Sequence, residues 1–162
     1  MREHEFRTFR GYELLRQENR ALLTPTQEDY LEMIYRHCLL RGHIRINELA
    51  EELNVAAPSV TRLTKKLCAL GFLEQKRYGY VTLTDAGRAA GEFLLARHNT
   101  VQDYLAKIGV QVSQFVDAEL IEHCVSEETL RVMNAWLEFF RANPDVLQRF
   151  GEASAASKAT LG

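Results

Sequence analysis

The stretch NELAEELNVAAPSVTRLTKKLCALGFLEQKRYGYVTLT, residues 47–84, decides the fold. Asn47 reads as the N-cap of a short helix whose Leu49 and Leu53 face inward, with Val55 closing onto them. Ala56-Ala57 is the turn. Pro58-Ser59 opens a second helix, with Val60, Leu63 and Leu67 as its inward stripe and Ser59, Thr61, Arg62, Lys65 and Lys66 on its outer surfaces. Gly71 stops that helix in the left-handed conformation, and FLEQKRYGYVTLT then alternates about a Tyr-Gly turn as a two-stranded hairpin. Two short helices, a basic second helix and a basic-aromatic hairpin make a helix-turn-helix with a wing. The bland alternative is an ordinary three-helix core with solvated Lys and Arg. Fold, charge and wing agree across levels, which favours the nucleic-acid reading.

On the N-terminal side, Thr24-Pro25-Thr26-Gln27 is a helix start, with Thr24 as N-cap, Pro25 in the first turn and Gln27 reaching back. Tyr30, Leu31, Ile34, Tyr35, Cys38 and Leu39 recur at helical intervals, Asp29, Glu32 and Arg36 flank them on another face, and Gly42 ends the helix. Residues 1–22 mix arginines, glutamates and aromatics and read as a further helix.

On the C-terminal side, Thr84 caps a long helix to about Ile108, with Phe93, Leu94, Val101, Tyr104, Leu105 and Ile108 as its apolar face and His98 in the middle. An acidic helix at 116–125 follows. Ser126, Glu127 and Glu128 restart a helix carrying Met133, Trp136, Leu137, Phe139 and Phe140, a concentration of apolar bulk that suggests a subunit interface. Residues 151–162, small and polar, read as a frayed tail.

The chain has 162 residues, 46% hydrophobic and 26% charged, enough for one good core or two small ones joined by a shared helix. No leader pattern and no spanning apolar run is seen, so a soluble cytoplasmic protein with no membrane partner is expected. Cys38, Cys68 and Cys124 are widely spaced without a Cys-x-x-Cys pair, which argues against a disulfide framework and a structural zinc site. The net charge of −2 hides an asymmetry. Arg62, Lys65, Lys66, Lys76 and Arg77 face Glu74 alone within 58–83, whereas 112–128 hold Asp117, Glu119, Glu122, Glu127 and Glu128 with no Lys or Arg. The first patch suits phosphates and the second suits cations.

Glu119, Glu122 and His123 lie at i, i+3 and i+4, and Asp29 and Glu32 at i, i+3, so each set shares one helix face. Singly, His98 is more often a satisfied core histidine and Asp29 with Glu32 a solvated face. Together, four carboxylates and two imidazoles form an oxygen-rich, thiolate-free set that suits manganese or ferrous iron better than structural zinc. Four negative charges also balance two divalent cations.

The order PTQEDYLEMIY, a winged helix-turn-helix, ARH and AELIEHCVSEETL resembles the manganese transport regulator branch of the diphtheria-toxin-repressor, or iron-dependent repressor, family over roughly residues 24–141. The resemblance implies metal ligands at Asp29, Glu32, His98, Glu119, Glu122 and His123, with Glu119 a carboxylate where the iron-responsive branch tends to carry sulfur. It implies DNA-facing positions at Ala56, Pro58 and Arg62. The notable departures are Cys124, where the manganese branch often has a second histidine, and the extension at 1–22. After residue 141 no SH3-like third domain is expected.

These readings predict a mainly α protein: an N-terminal extension (1–23), a winged helix-turn-helix DNA-binding domain (24–90), an α-helical metal-binding and dimerisation domain (91–150) and a flexible tail (151–162). The expected function is a Mn(II)-dependent transcriptional repressor that binds double-stranded operator DNA as a homodimer, with up to two ions per chain as corepressor and no enzymatic activity. Arg62 and residues near Pro58 would face base edges. Lys65, Lys66, Lys76 and Arg77 would meet phosphates, with Ser59, Thr61 and Tyr78 beside them. Without metal, the converging carboxylates should repel and free the winged domain. The rivals are an Fe(II)-responsive repressor of the same family, a winged-helix regulator sensing a small molecule, a metallohydrolase, and a purely structural module.

Overall fold

The computed structural model describes residues 23–160; the helix read at 1–22 lies outside the described residues. Helix α1 (Pro25–Arg41) begins as its sequence dictates. Gln27 N–H donates to the Thr24 hydroxyl at 3.4 Å, and the Gln27 side-chain oxygen accepts from Thr24 N–H at 2.8 Å. Gly42 terminates it at φ 76. Tyr30, Leu31, Ile34, Tyr35 and Cys38 are buried as expected, but Leu39 is exposed because it has rotated past the edge of the apolar stripe.

Strand β1 (Ile44–Arg45) leads straight into α2 (Ile46–Glu52). Asn47 is therefore not the cap. Arg45 holds that position, and its N–H is satisfied by the Glu48 carboxylate at 3.0 Å, the reciprocal half of a capping box without the hydroxyl. Leu49 is fully buried, Leu53 half-buried, and Val55 exposed rather than closed over the pair. Helix α3 (Ala57–Ala69) starts one residue before Pro58, with Ala56 as its N-cap, and buries Val60, Thr64 and Leu67. Gly71 follows at φ 83.

The hairpin consists of β2 (Leu73–Gln75) and β3 (Tyr80–Leu83), joined by a helical turn at Arg77–Gly79 in which Tyr78 and Gly79 both take positive φ. The wing is larger than two strands, because β1 pairs antiparallel with β3, Ile44 opposite Val81, giving the order β1-β3-β2. Two residues are too few to show period-2 alternation, which hides β1 in the sequence.

Helix α4 (Asp85–Lys107) opens at Thr84, whose hydroxyl accepts from Gly87 N–H at 3.0 Å. α5 (Gln114–Glu122), α6 (Glu127–Ala142) and α7 (Pro144–Thr160) follow among the described residues. α5 begins and ends earlier than the 116–125 expected, so His123 is its C-cap residue rather than a helix-interior one. Ser126 caps α6, accepting from Thr129 N–H at 3.2 Å. α7 extends through 151–160, the stretch expected to fray, where Ala153, Ala155, Ala156 and Ala159 are the strongest helix formers.

Two cores result. Leu31, Ile34, Ile44, Leu49, Val60, Leu67, Leu73, Val81 and Leu94 form the first, and Val101, Leu105, Ala118 and Leu130 the second. α4 contributes Leu94 to one and Val101 with Leu105 to the other, so His98 sits at the seam. α1 lies directly against α4. A Cβ at Gly91 would stand 2.5 Å from the Tyr35 Cβ, so only glycine lets the two helices approach this closely. Phe93, read as inward, is exposed. No helix among the described residues is long and apolar enough to cross a membrane.

Candidate metal centre and nucleic-acid interface

The α1–α4 contact carries Asp29 and Glu32 to His98, and the end of α5 brings Glu119, Glu122 and His123 to the same seam. Two groups form, Glu32–His98–Glu122 and Asp29–Glu122–His123, each with ligand atoms within 4.8 Å of one another. Glu122, 1% exposed, belongs to both. Its Oε2 accepts from His98 Nδ1–H at 2.9 Å. Glu119 belongs to neither group but puts Oε1 3.5 Å from His98 Nδ1. All six residues read from the sequence thus meet in one region. A cleft of about 150 Å³ opens onto it, lined in part by Asp29, Glu32, Arg36, His98 and Glu119.

Cationic side chains are interleaved with the converging carboxylates and offset part of their mutual repulsion. Arg36 Nε donates to Glu32 Oε1 at 3.0 Å. His123 spans two carboxylates of α1: Nδ1–H donates to Glu28 Oε2 at 2.7 Å and Nε2–H to Asp29 Oδ1 at 2.9 Å. These hydrogen bonds, to Asp29 first and then Glu28, push the imidazole up to about 9 despite its burial. His98 is raised by its hydrogen bond to Glu122, against the opposing effect of burial. Glu119 is raised by burial and by the neighbouring Glu122 charge. Burial would raise Glu28, but hydrogen bonds from His123 and Arg97 outweigh it and hold the carboxyl below its usual range.

Glu28 and Arg97 were not singled out in the sequence. Each immediately precedes a ligand candidate, and adjacent helical residues point about 100° apart, so a same-face criterion discards them. Glu28 reaches the centre because the His123 ring offers a nitrogen on each side and takes one carboxylate from each of two consecutive residues.

The donor set fits a divalent transition metal with oxygen and imidazole preference: carboxylates outnumber imidazoles, and no thiolate joins either group. Cys38 is buried in the first core and Cys124 is exposed.

Ser59, Arg62, Lys65 and Lys66 of α3 are exposed, Thr61 is half-buried with its hydroxyl on Ala57 O at 3.0 Å, and Ala56 and Pro58 are exposed at the helix start. Ala57, Pro58, Thr61, Arg62 and Lys65 line one shallow depression. Lys76, Arg77 and Tyr78 crown the wing; Tyr78 is 90% exposed, and Lys76 pairs with Glu74. Exposed basic side chains thus stand on both α3 and the wing tip.

A winged helix-turn-helix joined by one long helix to a carboxylate-histidine cluster defines a metal-dependent, DNA-binding transcription regulator. The chain belongs to the iron dependent repressor family: residues 22–81 match its N-terminal DNA binding domain and residues 84–151 its metal binding and dimerisation domain. Among similar proteins, the HTH-type transcriptional regulator MntR of Lysinibacillus sphaericus is 34% identical over 132 residues, covering 81% of this chain and 94% of that protein. The MntR of Listeria welshimeri is 36% identical over 126 residues, covering 77% of this chain and 89% of that protein. Similar solved structures include the metal-dependent transcriptional regulator MtsR, with TM-score 0.64 and 29% identity over 72% of this chain and 55% of that one. A manganese-dependent transcriptional repressor in complex with manganese gives TM-score 0.63 and 28% identity over 70% and 53%. The chain spans about half the length of these two solved chains.

Proposed function

We propose that this protein is a Mn(II)-responsive repressor whose metal centre is built from Asp29, Glu32, His98, Glu119, Glu122 and His123, and whose operator contacts come from α3 and the wing. The observation that carries this is the shared carboxylate of Glu122, placed in both ligand groups at the junction of α1, α4 and α5. Manganese stands lowest in the divalent affinity series, so an oxygen-rich set is the way a protein favours it; the resemblance to MntR proteins and to a manganese-bound repressor supports that choice. When bound, a divalent cation supplies positive charge and directional coordination at this junction.

Asp29 and Glu32 lie on α1, which builds the first core, and Glu119, Glu122 and His123 lie on α5 or at its end, which contributes Ala118 to the second, with His98 between them on α4. A divalent cation held by all six would fix the orientation of the winged module on the dimerisation module. In a dimer this holds the two α3 helices near the ~34 Å repeat of successive major grooves. Arg62, with Ala56 and Pro58 beside it, faces base edges. Ser59, Thr61, Lys65, Lys66, Lys76, Arg77 and Tyr78 meet the backbone and its phosphates. The role is regulatory rather than catalytic, and its place is the cytoplasm, where the DNA is.

Selection of binding sites from a random duplex library tests this reading. With Mn(II) a palindromic sequence should be enriched, with affinity about 5–150-fold higher than in chelator, the span of a typical coupling. Equal enrichment in chelator would point instead to a regulator sensing a small molecule.

A further inference from the structure

Arg97 is buried in the middle of α4, one residue before His98, and its Nη2 donates to Glu28 Oε2 at 2.8 Å. The same oxygen accepts Nδ1–H of His123 at 2.7 Å, and Arg97 Nη2 stands 3.3 Å from that ring nitrogen, two donors sharing one acceptor. Three elements far apart in sequence are pinned at one carboxylate: α1 through Glu28, α4 through Arg97 and the end of α5 through His123. Arg97 Nε is buried without a hydrogen-bond partner among the described residues, so the fold tolerates an unsatisfied donor to keep this guanidinium in place.

We propose that Glu28 and Arg97 are positioning residues of the metal centre: Arg97 fixes the Glu28 carboxylate, which holds Nδ1 of His123 and so presents Nε2 toward Asp29 and Glu122. The distances have this directionality. Nε2 lies 2.9 Å from Asp29 Oδ1 and 3.7 Å from Glu122 Oε1, both ligand candidates, whereas among the described residues Nδ1 meets Glu28 and Arg97. A ligating histidine needs its second nitrogen held by such a partner to fix tautomer and ring orientation, and losing the partner typically costs about 10–100-fold in metal affinity. Because Glu28 belongs to the winged module, the arrangement also makes ring orientation depend on docking of the two modules. This inference rests on the metal-centre reading given above.

The test uses the full chain with nitrogen-labelled histidine. In the metal-stripped protein, His123 should give a slowly exchanging, downfield Nδ1–H resonance, identified by its absence in His123→Asn. Glu28→Ala should abolish the resonance and weaken Mn(II) binding by about 10–100-fold. Glu28→Gln, whose amide oxygen can still accept from both donors, should retain the resonance and lose less affinity, and it remains informative if Glu28→Ala fails to fold. A folded Glu28→Ala protein with the resonance intact and wild-type Mn(II) affinity would overturn the inference while leaving the metal centre standing. Wild-type protein that takes up no Mn(II) would overturn the metal-centre reading itself.

Discussion

His123 titrates between two acidic neighbours on α1, Glu28 and Asp29, with Arg97 of α4 and Glu122 of α5 beside it. Its protonated form is favoured in the folded, metal-free protein, where its value is pushed up to about 9 from 6.5. A raised folded value means the stabilisation is complete below 6.5 and is lost as pH rises through about 9. His98 acts in the same direction. Glu28, held low, acts in the opposite one, and its contribution falls away only in acid below its ordinary 4.5. Urea midpoints of metal-stripped protein should therefore decline from neutral pH to above 9, and the decline should shrink in His123→Asn. Binding an ion at His123 Nε2 displaces a proton, so Mn(II) affinity should rise with pH over that same window, by up to about tenfold per unit. A flat Mn(II) affinity profile would show that His123 is not a ligand.

At the scale of elements, the meeting of α1 and α4 makes the centre possible, and Gly91 is its tightest point. A methyl group there collides with Tyr35, so Gly91→Ala should destabilise the protein by about 1–3 kcal/mol in urea unfolding and weaken metal binding by separating Asp29 and Glu32 from His98. Unchanged stability would mean the helices adjust freely.

Elements whose signals are local were legible in the sequence. Thr24 with Gln27, Thr84 and Ser126 announced their helices through capping chemistry, and Gly42 and Gly71 marked ends that require positive φ. Elements defined by partners were not. β1 exists because β3 pairs with it, and α2 starts at Ile46 because that strand hands the chain over, so Asn47 misled. Helical spacing picked out Asp29, Glu32, Glu119, Glu122 and His123, which converge at the seam, but it also concealed Glu28 and Arg97, which make contacts distant in sequence.

In the whole molecule, the sequence places the dimer interface on the aromatic C-terminal helix. Much of that bulk is used internally: Trp136 packs against Tyr104, Phe140 and Phe150, leaving Phe139 exposed. The larger uncovered apolar face is on α5 and the loop before it, with Val112, Val116 and Leu120 more than half exposed. The family's metal binding and dimerisation domain, residues 84–151, includes both this face and α6. Val116→Glu should shift the protein toward monomer in sedimentation while sparing Mn(II) uptake; an intact dimer would move the interface elsewhere. At the opposite end, Arg62→Ala should reduce discrimination between operator and random DNA by about 1–3 kcal/mol, whereas equal losses on both would make Arg62 a phosphate contact.

All of this depends on one carboxylate shared by two ligand groups. The most direct check is a Mn(II) titration of metal-stripped protein followed by the electron paramagnetic resonance of the free ion, in wild type and Glu122→Ala, with folding verified by circular dichroism. Because Glu122 belongs to both groups, wild type should take up about two ions per chain and the folded variant neither tightly. Uptake in the variant equal to wild type, or none in wild type, would contradict a metal centre built on Glu122.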